Sequence, residues 1–297
     1  MIFDRWMEYI KDEVKITSLV IPGAHNAGSY GMSFMAECQK DTLLTQFNYG
    51  IRHYCLRLNT DRRGNIVIAH GISKGDLFDN VLSDIRQMLI NSNEILLLDI
   101  QEYYDQKFGP VTLKFKADKD KVNSMLAHYI EPEKYAYYDF DNIKDVTIGD
   151  IKKAGKRYIL INEFEEYDYS RSCESIRPWE KPVNSAKAEQ FAAETLRFFD
   201  DYKTDGLYWF QVQQTPNIGT PIGLTPPYKL DEDLRKYYKS IIKGIEENPF
   251  YLESANIIAG DFMTRDYMKS SEILRLNALK GNVKEGLVDE FLKGIEY

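Results

Sequence analysis

Long hydrophobic runs are missing from this 297-residue sequence, and so is any cluster of positive charge. No stretch approaches the ~20 apolar residues that a membrane-spanning helix needs. The formal net charge is −8 with no basic tract, which excludes a general nucleic-acid binder and weakens adhesion to an anionic membrane through bulk charge. Cysteine is scarce. Cys38, Cys55 and Cys173 make no even-numbered disulfide framework and fit no zinc spacing, so they read as buried or free thiols. The first residues, Met1-Ile2-Phe3-Asp4-Arg5-Trp6-Met7, lack a basic stretch followed by an apolar one and do not read as a signal peptide. Two locations stay open on that ground: cytoplasmic, or secreted as a mature form whose leader was removed. No linker, repeat or low-complexity segment divides residues 1–297, which predicts a single domain, and no heptad seam suggests a coiled-coil dimer, which favours a monomer.

What is present is a regular alternation of short apolar runs with helical patterns. Candidate strands are 16–22, 51–58, 66–69, 94–101, 157–162, 207–213 and 256–260. Several are apolar on both faces, as in Glu94-Ile95-Leu96-Leu97-Leu98-Asp99-Ile100, the mark of a parallel sheet covered by helices. Helical periodicity is seen at Leu77–Ile90, Lys119–Tyr129, Ala186–Phe199, Asp231–Asn248 and Met268–Lys280, with a short pattern of Trp6, Ile10 and Val14 before the first strand. The expected class is α/β, a single distorted (β/α)8-type barrel that is either complete or one strand short.

Histidine is also rare, with four in the chain. Two of them end apolar runs: Ile21-Pro22-Gly23-Ala24-His25 and Ile66-Val67-Ile68-Ala69-His70. In a parallel barrel the C-terminal ends of the strands are where catalytic groups collect. Facing imidazoles serve as general base and general acid near neutral pH. In Tyr54-Cys55-Leu56-Arg57-Leu58, alternation puts Cys55 and Arg57 on one face. If that face is the barrel interior, a guanidinium suited to a phosphate enters the site. Asp261 closes another apolar strand and supplies a carboxylate to orient a ring. Each has a plainer reading: a structural histidine, a buried ion-pair arginine, or an aspartate capping the next helix. His53 and His128 read as packing or surface residues. On spacing alone the chain reads as an α/β enzyme of hydrolytic type.

The segment Ser18-Leu19-Val20-Ile21-Pro22-Gly23-Ala24-His25-Asn26-Ala27-Gly28 resembles the opening motif of bacterial phosphatidylinositol-specific phospholipase C, S-I-P-G-T-H-D-S-G. The order that follows is similar too: Gln46, then Tyr49-Gly50-Ile51-Arg52, a strand with an arginine, Ile66-Val67-Ile68-Ala69-His70-Gly71, and an Ile95-Leu96-Leu97-Leu98-Asp99-Ile100 strand. The likeness is dense over residues 15–105, faint at 256–278 and poor in the middle third. It implies His25 as the base that deprotonates the inositol 2-hydroxyl and His70 as the acid that protonates the diacylglycerol oxygen. It further implies Asp261 as the partner of the acid histidine and Arg57 as the stabiliser of phosphoryl charge. The product would be a cyclic inositol phosphate.

Departures from the motif matter as much. Asn26 stands where the bacterial pattern has aspartate and is expected to hydrogen-bond Arg57. Calcium-dependent relatives carry acids where this chain has Cys55, Arg57 and Gln101, so no cofactor is expected and no metal ligand is assigned, because a hard cation wants several anionic oxygens. The inositol-binding arginine of the bacterial pattern has no counterpart on the strand 157–162, where Asn162 or Glu163 falls. Arg177, Trp179 and Glu180 are the other candidates for gripping ring hydroxyls. Met32, Phe34 and Met35 follow the first motif and either dip into a lipid interface or pack beneath their loop. The expected partner is a phospholipid met transiently at a membrane surface. The expected activity is metal-independent cleavage of phosphatidylinositol or a glycosyl-phosphatidylinositol. The alternatives are a related phosphodiesterase for another head group and a non-catalytic lipid- or phospho-sugar-binding barrel.

Overall fold

Strand alternation sorts the apolar residues of this chain into two layers, one inside a curled sheet and one outside it. The computed structural model describes residues 1–102, 106–108, 111–113, 117–162, 166–216 and 219–297. Its strands are β1 (Ile21–Ala24), β2 (His53–Thr60), β3 (Ile66–His70), β4 (Ser73–Leu77), β5 (Leu96–Glu102), β6 (Gln106–Phe108), β7 (Val111–Leu113), β8 (Tyr158–Ile161), β9 (Ser170–Arg171), β10 (Trp209–Val212) and β11 (Ile257–Gly260). A parallel sheet runs in the order β10-β11-β1-β2-β5-β8-β9. Between β9 and β10 the described residues make a single parallel bridge, Ile176 to Tyr208. The barrel is therefore distorted and not fully closed.

Register fixes what faces inward. Ile21, Cys55, Leu97, Ile159, Ile161, Trp209, Ile257 and Ala259 share the inner cluster. Their neighbours Ala24, Tyr54, Leu56, Leu98, Tyr158, Leu160, Phe210 and Ile258 belong to the outer one. The outer layer is closed by helices Phe78–Asn91, Lys119–Ile130, Pro227–Glu247 and Met268–Leu279. Helix Phe78–Asn91 buries Val81, Leu82, Ile85, Met88 and Leu89, the i, i+3, i+4 stripe that its sequence announces. Inside, Gly23 leaves room for a ring: a β-carbon there would stand 3.0 Å from His53 Nδ1 and 3.1 Å from Ala259 Cβ.

Three expectations are corrected. Segment 66–69 is not a barrel strand but part of β3, which lies antiparallel to β2 and forms a hairpin with β4. The seventh parallel strand is instead β9. Near the N-terminus a short 3-10 turn, Trp6–Tyr9, replaces the expected helix. There, Trp6 Nε1 donates to Gly50 O and Met7 N to Glu94 Oε2, so polar groups of this segment are satisfied by the barrel floor. Arg52 lies in the same floor, fully buried against Glu94 and the Phe47 ring.

Candidate active site

The two histidines meet because two strands share one edge of β2. The lower half of β2 pairs with β1 through Gly23–His53 and Ala24–Tyr54. Its upper half pairs with β3 through Leu58–Ile68 and Thr60–Ile66. β1 rises along that edge to His25, and β3 descends it to His70. The rings stand 6.4 Å apart between centroids and nearly perpendicular.

His25 is held by the neighbouring strand β11. His25 N donates to Gly260 O, continuing the parallel ladder by one residue, and Asp261 follows Gly260. Nδ1 of His25 lies 2.8 Å from Asp261 Oδ1, so Nδ1 carries the proton and Nε2 is left as the basic atom. Asp261 thus pairs with the expected base, not with His70, because β11 borders β1 whereas β3 lies beyond it. The chain turns sharply after each partner: Asn26 and Phe262 both have positive φ, 45° and 47°. Gln39 fastens the two turns together, donating to His25 O at 2.9 Å and Gly260 O at 2.8 Å while accepting from Met263 N. Nothing in the sequence signals this residue; an isolated glutamine in a loop has no pattern. A second fastening comes from the buried Lys269, which contacts Asp261 O and Asp231.

His70 sits in different surroundings. Its Nδ1 donates to Ala36 O at 2.8 Å, and Cys38 Sγ is 3.7 Å from the same atom. Burial lowers its pKa to about 4, opposed by the Ala36 bond and, more weakly, by Asp261, while Arg57 and His25 add to the lowering. The resting ring is therefore neutral at pH 7, with Nε2 unprotonated. Asn26, 3% exposed, gives its Nδ2 to Cys38 Sγ at 3.5 Å and leaves Oδ1 without a partner. The expected Asn26–Arg57 bond is not made.

Arg57 faces inward as its parity requires, half-buried, with Nε 3.4 Å from Gln101 Oε1. Below it lies a polar layer. Asp99 accepts from Gln101 Nε2 at 2.7 Å and from Arg177 Nη2 at 2.7 Å. Arg177 also covers the Trp209 ring at 3.9 Å, and His53 meets that ring edge-on at 4.2 Å. Burial raises the Asp99 carboxyl while Arg177 and Gln101 lower it, and burial together with Arg177 pushes His53 well below the usual imidazole range.

The remaining candidates divide. Arg177 joins the interior. Asn162 follows Ile161 and falls on the outward parity of Tyr158 and Leu160, so it does not face the site. Glu163 lies outside the described residues. Glu180 is turned to Arg197 and Tyr202, and Trp179 gives its Nε1 to Thr215 Oγ1; neither reaches the histidines. Of the three loop residues, Met32 is buried beside Gly75, Met35 is half-buried, and Phe34 is 66% exposed. Ser33 and Ser73, 3.3 Å apart, join that loop to the β3–β4 turn, whose Ile72 is 82% exposed. Among the described residues no helix is long and apolar enough to cross a membrane.

No family model and no curated sequence matches this chain. Solved structures do. A phosphatidylinositol-specific phospholipase C variant from Staphylococcus aureus superposes with a TM-score of 0.66 at 17% identity, over 95% of this chain and 98% of that one. The phosphatidylinositol-specific phospholipase C of Listeria monocytogenes gives 0.63 at 16% identity, over 93% and 98%. Across nearly its whole length, then, this chain has the fold of the bacterial phosphatidylinositol-specific phospholipases C.

Proposed function

We propose that the protein is a phosphodiesterase that cleaves phosphatidylinositol or a glycosyl-phosphatidylinositol, releasing diacylglycerol and a cyclic inositol phosphate. The observation that carries this reading is the His25–Asp261 pair facing His70 across the mouth of the barrel, with Arg57 on β2, the strand that both of theirs border. Asp261 keeps the proton on Nδ1 of His25, so Nε2 takes the proton of the attacking hydroxyl. The hydroxyl oxygen bonds to phosphorus, the lipid oxygen departs, and Nε2 of His70 returns a proton to it. Arg57 balances the charge gathering on the non-bridging oxygens. His70 is neutral in the free protein, so it acts after taking up a proton beside the bound phosphate, whose negative charge favours the imidazolium.

Metal independence is part of the proposal. The inward positions around Arg57 are Cys55, Asp99 and Gln101, and Asp99 is committed to Arg177 and Gln101; this is a poor oxygen set for calcium. A soluble barrel that visits the surface of a bilayer fits Phe34 and Ile72 on adjoining tips. A second reading, a phosphodiesterase for another head group, draws on Arg177. This cation enters the interior from residues 172–177 and not from the strand that carries an arginine in the bacterial pattern.

The test is turnover of phosphatidylinositol in mixed micelles with EDTA present, with the product identified by phosphorus NMR. A cyclic phosphate in the wild type, and none from folded His25→Ala or His70→Ala proteins, is the expected result. Activity like the wild type in either variant defeats the mechanism. No turnover of phosphatidylinositol with or without calcium defeats the substrate.

A further inference from the structure

The proposed reaction leaves one group in the site unused, the thiol of Cys38. Its Sγ, an Asp261 carboxylate oxygen and a ring nitrogen of His25 all lie within 4.8 Å of one another. A tetrahedral zinc ion, with bonds of about 2.3 Å to sulfur and about 2.0 Å to nitrogen or oxygen, holds such atoms roughly 3.3 to 3.5 Å apart. His25 Nδ1 and Asp261 Oδ1 are 2.8 Å apart already, so movements on the order of 1 Å, mainly of the sulfur, complete the set.

The surroundings of the sulfur point the same way. Asn26 Nδ2 donates to it at 3.5 Å, and His70 Nδ1, whose proton goes to Ala36 O, lies 3.7 Å away. A neutral thiol is a weak acceptor, whereas a metal-bound thiolate accepts strongly from the Asn26 amide, as such ligands commonly do from outer-sphere donors. Burial and the Asp261 charge disfavour a free thiolate here. A dication placed between the sulfur and the carboxylate reverses that effect, because a coordinated thiol gives up its proton. His25 is half-buried at the barrel mouth, which opens the cluster to solvent.

We propose that Cys38, His25 and Asp261 form an inhibitory site for a thiophilic divalent cation of the zinc class, with water in the fourth position. Binding releases the thiol proton and shifts the ring proton of His25 from Nδ1 to Nε2. The ion takes the place of that proton between ring and carboxylate, so His25 loses both its orientation and its basicity. Calcium and magnesium, which prefer oxygen, do not compete. The inhibition rests on His25 being the proposed base; the binding does not.

The experiment reads binding directly. The whole protein is titrated with Co²⁺ and followed by the thiolate-to-cobalt absorption and the visible d–d bands of a tetrahedral ion. One cobalt per chain is expected, displaced by Zn²⁺ and unaffected by Ca²⁺. Cys38→Ser and Cys38→Ala should lose the thiolate band and bind at least about tenfold more weakly, while Cys173→Ser keeps both. A wild-type titration with no thiolate band overturns the proposal, as does a full band in either Cys38 variant. The cobalt spectrum decides the matter whether or not the protein cleaves phosphatidylinositol.

Discussion

Replacing Asn26 by aspartate tests the electrostatics of the site at the place where this chain departs from the bacterial motif. The exchange is nearly isosteric, and aspartate tolerates the left-handed backbone at φ 45° as asparagine does. Asn26 Nδ2 and His70 Nδ1 both touch Cys38 Sγ, at 3.5 and 3.7 Å, which puts a new carboxylate oxygen within about 7 Å of the ring. At that distance and an effective dielectric constant of about 20, one negative charge stabilises the imidazolium by about 2.4 kcal/mol, or roughly 1.7 pKa units. The low pKa of His70, about 4 in the native chain, should therefore rise into the range of 5 to 6. The protonated fraction at pH 7 grows roughly fifty-fold. Part of that gain is offset because the acid is weaker, so kcat/KM at neutral pH should increase several-fold. The assay is an NMR titration of the histidine ring protons, assigned with His70→Gln and with the exposed His128 as an internal reference. A His70 pKa within about 0.3 units of the native value would refute the argument.

Acid should weaken the native protein through the same residue. The folded-state pKa of His70 lies below the unfolded value of about 6.5, so its contribution is complete above that pH and falls as the pH drops towards 4. Between pH 7 and pH 5 the loss is about 2 kcal/mol from His70, with the buried His53 acting in the same direction; urea melts at the two pH values, with His70→Gln as control, measure it. Arg177→Met leaves the buried Asp99 without its cation and should cost about 3 to 5 kcal/mol, whereas Arg177→Met with Asp99→Asn should recover much of that; equal melts for the single and double variants contradict the pairing. Phe34→Ser with Ile72→Ser should weaken binding to phosphatidylinositol-containing vesicles, each side chain being worth up to about 1.5 to 3 kcal/mol when it is buried. Their melting temperature should not change, since both are exposed. Unaltered vesicle affinity would remove these tips from the lipid surface.

The parts of this site that were legible in the sequence were those carried by a single strand. His25 and His70 end apolar runs, and the period of two put Arg57 on the face of Cys55. The partner of Asp261 was not legible, because it depends on which strands are neighbours, and spatial order is absent from the chain order. β3 resembles a barrel strand because Ile66, Val67, Ile68 and Ala69 are all buried, so this antiparallel strand has the same apolar run as a parallel one. Asn162 is a candidate only through the register of the bacterial arginine, and β8, apolar on both faces, hides its parity. Asp99 did leave a signal, a carboxylate within Leu96-Leu97-Leu98-Asp99-Ile100. A charge inside a buried strand needs a partner, and Arg177 is that partner, supplied from a stretch with no periodicity of its own.

The antiparallel arm that brings His70 to the mouth also separates the protein into parts of unequal resilience. His25 and Asp261 belong to the parallel ladder, flanked by strands on both sides and covered by helices. His70 hangs from one edge of β2, and among the described residues its hairpin partner β4 pairs only with β3. Amide exchange should therefore be quicker in β3 and β4 than in β1 or β11. The proton donor can come adrift while the proton acceptor stays in place. Such a hairpin is also a transplantable module: a new acid, with a different reach or a different pKa, could be grafted onto β2 without redesigning the barrel beneath it.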